Sequence, residues 1–335
     1  MPNPVGRVRR REASAIAITA AAVLAAMHSP VAAAQTPKWP TRPISLVVGS
    51  APGGSNDTFA RALAKPLQEA LGQSVVVENR PAGGGIIANT VVAQAPPDGY
   101  HFVVLSSTFT TGAAIRSNLQ YDPIKSFRPV AMLAKGPLLV TVAADSPFKS
   151  IEALVSAARA EPGKLNDGTS GPGSINQVAT ELFAGAADIK LTPVPYKGMG
   201  PATNDLIAGQ IQLLVASAPS ILGQVKGGRV RALAVTTATR SPVAPDLPSL
   251  EQIGYKGSAS ELWWGVLTAA ATPQPIIDRM NGEINRIIQS EQMKDFLLRE
   301  GAEAAPMKPE QFAAFIAAEI DRWKSVAEAA GIKPE

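Results

Sequence analysis

Two glycine-rich turns are the residues of this chain best suited to chemistry: APGGS at 51–55 and SGPGS at 170–174. Each follows a short apolar or β-branched stretch and leads into a helical pattern; ISLVV at 44–48 runs into the first. Glycines in such turns let backbone N–H groups converge, and the helix behind adds the positive end of its dipole. The chemistry on offer is anion binding by main-chain donors. Either turn alone reads equally well as an ordinary strand-to-helix connection. Two of them in separate halves of one chain predict a cleft that closes on a carboxylate. The residues expected to line it are Ala51, Pro52, Gly53, Gly54 and Ser55 from the first turn, with Gly171, Gly173 and Ser174 from the second.

Most other chemistry lacks its residues. The chain has no cysteine and two histidines, His28 and His101. A cysteine nucleophile, a histidine-rich metal site and an H-E-x-x-H helix are therefore excluded. His101 opens a strand, no G-x-S-x-G elbow exists, and a structural histidine is the better reading. The S-x-x-K match at 146–149 has none of its companion motifs and reads as a turn before a helix. No G-x-x-x-x-G-K-[ST] loop occurs, and the glycines at 83–85 lack the third spaced glycine of a dinucleotide fingerprint. A carboxylate pair working without histidine stays open, although no spacing isolates one. The expectation is a binding protein that is not an enzyme, with no cofactor and no metal.

The elements that position these turns follow from the rest of the chain. Residues 1–34 read as a secretory signal peptide. Arg7, Arg9, Arg10 and Arg11 precede an apolar run at 13–26, and AAA at 32–34 offers a cleavage site. That run is short of the roughly 20 residues a bilayer span needs. The mature chain is expected to be exported and soluble. The leader carries four of the 31 basic residues and one of the 27 acidic ones, which leaves a nearly neutral mature chain. No basic stripe interleaved with aromatics points to nucleic acid. The remaining length suits two domains of about 150 residues.

Strand and helix patterns alternate. Strands are expected at 44–49, 74–78 and 101–106, with helices at 56–71 and 86–95 between them, which calls for a parallel sheet covered on both faces. Strands at 127–133 and 138–143 flank KGP at 135–137. A second series then runs through helices at 151–160, 175–187, 201–208 and 221–227 and strands at 164–169, 191–196, 211–216 and 230–236. WWGVLT at 263–268 is a further strand, and 275–330 is helical by periodicity. The economical arrangement is α/β with two lobes: 38–137 plus 262–335, and 138–261. Each lobe is a sheet with flanking helices, and two crossings near Gly136 and Trp264 join them. In such sheets the ligand sits at the carboxyl ends of the strands. Asp57 in the first helical turn, Ser107 and Thr108 past a strand end, and Gly198 after Tyr196 and Lys197 are further candidates, each with an ordinary structural role as the rival reading.

Several runs together resemble the Bug family of extracytoplasmic receptors of tripartite tricarboxylate transporters. They are WPTRP at 39–43, APGG at 51–54, VVENRPAGG at 76–84, PDGY at 97–100, PYKG at 195–198, RALAVT at 231–236 and AAGI at 329–332. The resemblance implies a two-lobed periplasmic-binding-protein fold of type II. It implies capture of a small carboxylate, such as a di- or tricarboxylate, an acidic amino acid or an aromatic acid, through main-chain groups and ordered waters. The expected partners are the membrane subunits of such a transporter, with the receptor itself a monomer. The alternative is an orphan receptor presenting its ligand to a membrane sensor or another importer. Two positions depart from the family. The strand that often ends in aspartate before a serine has Ala216 before Ser217, and the histidine often found after the second turn is Gln177. Both positions are expected to face the cleft or lie close to it, with Ser217 a ligand contact. Loss of the aspartate is then expected to disfavour ligands with an ammonium group.

Overall fold

The computed structural model describes residues 39–329 other than Ala82 and Pro172. The signal-peptide reading and the final residues of the AAGI run fall outside the described residues. Two sheets organise the rest.

In the first sheet β1 (Ile44–Val48) is buried along its whole length and pairs in parallel with β2 (Val75–Asn79) and β3 (His101–Ser106). α1 (Ser55–Leu71) joins β1 to β2. It turns Phe59, Leu63 and Leu67 inward and ends at Gly72, whose φ of 69° lets the capping N–H reach the Gln68 carbonyl. α2 (Ile86–Ala93) precedes β3, and α3 (Thr108–Ile115) follows it. The segment after β3, read from sequence as a turn, is thus a helix. β4 (Phe127–Gly136) completes the consecutive strands of this sheet.

The second sheet starts one residue later. β5 (Leu138–Ala143), β6 (Asn166–Thr169), β7 (Thr192–Pro195), β8 (Leu213–Ser217) and β9 (Val230–Val235) stand in the order β7-β6-β8-β5-β9. β6 is parallel to β7 and β8, and β5 is antiparallel to β8 and β9. Its helices are α4 (Ile151–Ala160), α5 (Ile175–Ala187), α6 (Met199–Ile207) and α7 (Ala218–Lys226). Leu139, Leu206, Leu214, Ala216 and Ile221 belong to one apolar core within this half.

The chain then returns. β10 (Leu262–Ala269) inserts between β3 and β4, antiparallel to both, so the sheet is mixed rather than purely parallel. Trp263 packs edge-on against Phe312 at 5.4 Å, and Gly265 leaves no room for a Cβ beside that ring. The tail forms α8 (Gln274–Ile288), α9 (Glu291–Arg299) and α10 (Pro309–Ala329). It also contributes β11 (Glu303–Ala304), which pairs with the free edge of β4. Two residues between helices carry no periodicity, so this strand has no signal in the sequence.

Candidate functional site

The crossings fix where the strand ends meet. Leu262 lies opposite Gly136, where β4 leaves the first sheet, and Ser217 at the end of β8 lies opposite Leu138, where β5 begins the second. Ser106 at the end of β3 lies opposite Trp264. The carboxyl ends of β3 and β8 are therefore both anchored at the junction. His101 pairs with Ser45 at the other end of its strand, away from the turns, which fits a structural role.

The first turn is held by a carboxylate. Gly53, at φ 84°, donates its N–H to Asp57 Oδ2 at 2.9 Å. Gly54 N–H reaches the Ala51 carbonyl at 3.1 Å. Asp57 is buried, and it also accepts from Arg61 Nε at 2.9 Å and Asn79 Nδ2 at 2.8 Å. Burial pulls its pKa up, but the Arg61, Gly53 and Asn79 donors outweigh it and hold the carboxyl below the usual range. Asp57 therefore builds the turn instead of offering itself to a ligand. The glycine amide expected to face an anion is likewise occupied. What remains at this helix start is the pair of amides of Ser55 and Asn56, with no side-chain cap. Ser55 is placed by Trp264, whose indole N–H donates to its Oγ at 3.1 Å. Ala51 and Pro52 stand exposed at the lip. Ser50 Oγ and Asn56 Oδ1 are buried without a partner beside this turn; the sequence reading had named neither.

The second turn repeats the stitch with a neutral side chain. Gly173, at φ 71°, donates its N–H to Gln177 Oε1 at 2.9 Å. Ser174 Oγ accepts from Gln177 N–H at 3.3 Å, so this serine caps α5. Ser170 Oγ meets Asn176 Oδ1 at 2.9 Å, and Asn176 Nδ2 reaches the Val215 carbonyl of β8 at 2.8 Å. The Gly173 carbonyl accepts from Thr111 Oγ1 of α3 at 2.7 Å, across the junction. That bond ties the second turn to α3 of the first half.

The other candidates divide. Ser107 is fully buried; its hydroxyl accepts from Trp263 N–H at 2.9 Å and its N–H donates to the Trp263 carbonyl at 3.1 Å. It fastens α3 to β10, leaving no hydroxyl for a ligand. Thr108, the first residue of α3, is half-buried beside it. Gly171, at φ 111°, lies near the Tyr196 carbonyl, which puts the end of β7 beside the second turn. Gly198, at φ 107°, then opens α6 with open space where a side chain would stand. Ser217 opens α7, its hydroxyl 2.5 Å from that of Ser220. Ala216 turns inward, so of the two placements expected for it only the one close to the cleft, not facing it, stays open. It has no exposed surface and belongs to the apolar core with Leu139 and Leu214, so its loss of a carboxylate says nothing about the cleft. Gln177 faces the turn as its structural brace.

β6 carries an unusual charge behind the second turn. Gly168 would place a side chain against Ile211, Leu214 and Ala202, so Asp167 next to it projects to the opposite face of the sheet. Asp167 is 2% exposed. Burial, with the Glu181 carboxyl of α5 adding repulsion, pushes its pKa up to about 7. A cavity of about 480 Å³ lies elsewhere, lined mostly by apolar residues such as Leu222, Val225, Val243 and Leu247, with Arg231 on its wall donating to the Ala144 and Phe148 carbonyls. Among the described residues no group of three or more His, Cys, Asp and Glu could hold a metal ion, and no helix is long and apolar enough to cross a membrane.

Residues 59–332 match the family model described as the tripartite tricarboxylate transporter family receptor. Protein BugT of Bordetella pertussis is 33% identical over 297 residues, 88% of this chain and 91% of BugT. The periplasmic binding protein BugD superposes with a TM-score of 0.83 at 31% identity, covering 89% of this chain and 100% of BugD. Rpa4515 of R. palustris, solved with adipate, gives 0.86 at 36% identity, covering 89% of this chain and all of that one. MatC of Rhodopseudomonas palustris, solved with malate, gives 0.81 at 30%, covering 86% and 99%.

Proposed function

This chain belongs to the tripartite tricarboxylate transporter receptor family, and from that premise we propose that it captures a small di- or tricarboxylate, or an aromatic acid, in the periplasm for a membrane transporter of the tripartite type. The family and its structural neighbours are solute-binding proteins, not enzymes. The observation that carries the reading is a pair of braced glycine turns, one from each sheet, the second of them tied to α3 of the first half by the Thr111–Gly173 bond. Each turn spends its glycine amide on its own brace and leaves helix-start amides for an anion, at ends worth about half a positive charge each. Main-chain donors hold a carboxylate without the cost of burying a side-chain cation. A dicarboxylate suits two such ends best, and adipate and malate occupy Rpa4515 and MatC. One carboxylate would meet Ser55 and Asn56, the other the start of α5 with Gly198 and Ser217. On this reading the lobes are 38–137 with 262–335 and 138–261, closing by hinge motion at the crossings.

Thermal shift with adipate, malate, citrate and benzoate, each against neutral sugars, tests the reading. An acid at about 100 times its dissociation constant adds roughly 2.7 kcal/mol, which raises the midpoint by at least about 2 °C at this size. Mass spectrometry of the gently purified protein should show an organic acid released on denaturation. Stabilisation by a neutral solute, with none from any acid, overturns the carboxylate assignment.

A further inference from the structure

We propose that Arg116 is the positioning residue that ties the second glycine turn to the first half of the molecule and so sets the balance between closed and open cleft. Its guanidinium lies between loops of the two halves. Arg116 Nη2 stands 3.2 Å from where a Cβ on Gly84 would be, and Arg116 Nε stands 3.3 Å from where one on Gly173 would be. Gly84 and Gly173 have φ values of 66° and 71°, in the left-handed region where glycine is favoured. Two glycines, one from each half, thus make room for one side chain. A side chain at either position would press on the guanidinium, besides straining a left-handed backbone.

The same helix end touches the turn at two more points. Thr111 donates to the Gly173 carbonyl at 2.7 Å, and the Gly112 Cα lies 3.6 Å from the position of a Gly173 Cβ. Arg116 follows the last residue of α3, and Ser107 bolts the start of that helix to β10. α3 is therefore a rigid arm fixed at one end to the first sheet, presenting a hydroxyl, a bare Cα and a guanidinium to one turn. Arginine suits the third place. Its flat guanidinium fits the slot between two glycine backbones, and its charge is weakly hydrated, whereas a lysine ammonium is a strongly hydrated point charge. The same positive charge favours an anion beside the second turn.

The proposal rests on the two-lobed receptor reading, but its test does not need a known ligand. The chain has no cysteine, so a pair of spin labels at Glu69→Cys and Ser156→Cys reports the spacing of the halves unambiguously; both positions are exposed, one on α1 and one on α4. Pulsed dipolar distances are measured on the parent pair, Arg116→Ala and Arg116→Lys, with no additive and with adipate as probe. Arg116→Ala should move the equilibrium about tenfold toward long distances, with the urea midpoint unchanged. Arg116→Lys should resemble Arg116→Ala. Thr111→Val should open the cleft in the same direction by less. A distribution unaltered by Arg116→Ala, or fully restored by Arg116→Lys, overturns the proposal. If adipate and the other acids leave the parent unchanged while Arg116→Ala still opens it, the arginine tie stands and the carboxylate assignment falls.

Discussion

The two glycine turns do the same job with different materials. In the first, Asp57 braces Gly53 and is itself held by Arg61 and Asn79, and Asn79 also reaches the Ser50 carbonyl at 3.0 Å. Every member comes from the first half of the molecule. In the second, a neutral Gln177 braces Gly173, and the outer face of the turn is held by Thr111 from the other half. The first turn is complete within its own lobe. The second takes its final shape only when the halves meet. Charge sharpens the contrast, because a buried carboxylate is tolerable only when paired. Arg61 supplies that pairing, and Gln177 needs none.

The feeding strands differ too, and the largest expected effect lies there. β1 is apolar apart from Ser45, whereas β6 buries Asp167. A carboxyl whose pKa rises on folding from 3.8 to about 7 binds its proton more tightly in the native state. Its contribution is fully present below pH 4, is lost as pH rises from about 4 to about 7, and stays lost above. Asp167→Asn should abolish that slope and stabilise the protein at pH 8 by up to roughly 4 kcal/mol. Urea unfolding between pH 4 and 8 checks this; parallel curves for variant and parent would show that Asp167 ionises normally.

Asp57→Ala comes next. It leaves the Gly53 N–H and Arg61 Nε without their acceptor and takes one of the two that the Asn79 amide has, and should cost about 3 kcal/mol, with weaker acid binding. Asp57→Asn should recover part of the stability. An alanine variant as stable as the parent would mean that the turn does not need its brace.

Gln177→Ala removes one acceptor from a single N–H and should cost about 1–2 kcal/mol. Its effect on acid binding should exceed that share, because the turn it loosens also forms the inter-half contact. Calorimetry of Gln177→Ala beside Thr111→Val, and of the pair combined, would sharpen the comparison. Strict additivity would show that brace and cross-junction bond act independently.

How far the sequence could be read follows the same line between local and distant partners. The α5 boundaries at 175 and 187 were legible because Ser174 caps the start and the apolar positions repeat every three to four residues. The family runs made the two-lobed fold legible as a whole. The mixed sheet was not, since nothing local in WWGVLT tells whether that strand runs with or against its neighbours. α3 was missed because its sequence, TFTTGAAI, is β-branched and glycine-containing, and tertiary contacts through Ser107 override its weak propensity. At the site, the turns could be found from their glycines. The occupant of each glycine amide could not, because Asp57 and Gln177 act through folded geometry. Ala216 was misplaced by its neighbour: Ser217 points to the junction, and alternation along a strand turns residue 216 into the core.

The insertion of β10 between β3 and β4 also dictates an order of assembly. All five strands of the second sheet come from one uninterrupted stretch, finished by Val235. The first sheet lacks its central member until Leu262–Ala269 is present, and Trp264 must then find Ser106 from far along the chain. Contacts of such long sequence separation form slowly. As the polypeptide emerges, the half bearing SGPGS can settle early while the half bearing APGGS waits with one strand edge bare. The interval between the two is when this protein is most open to mispairing with a neighbour, and when a chaperone has the most to cover.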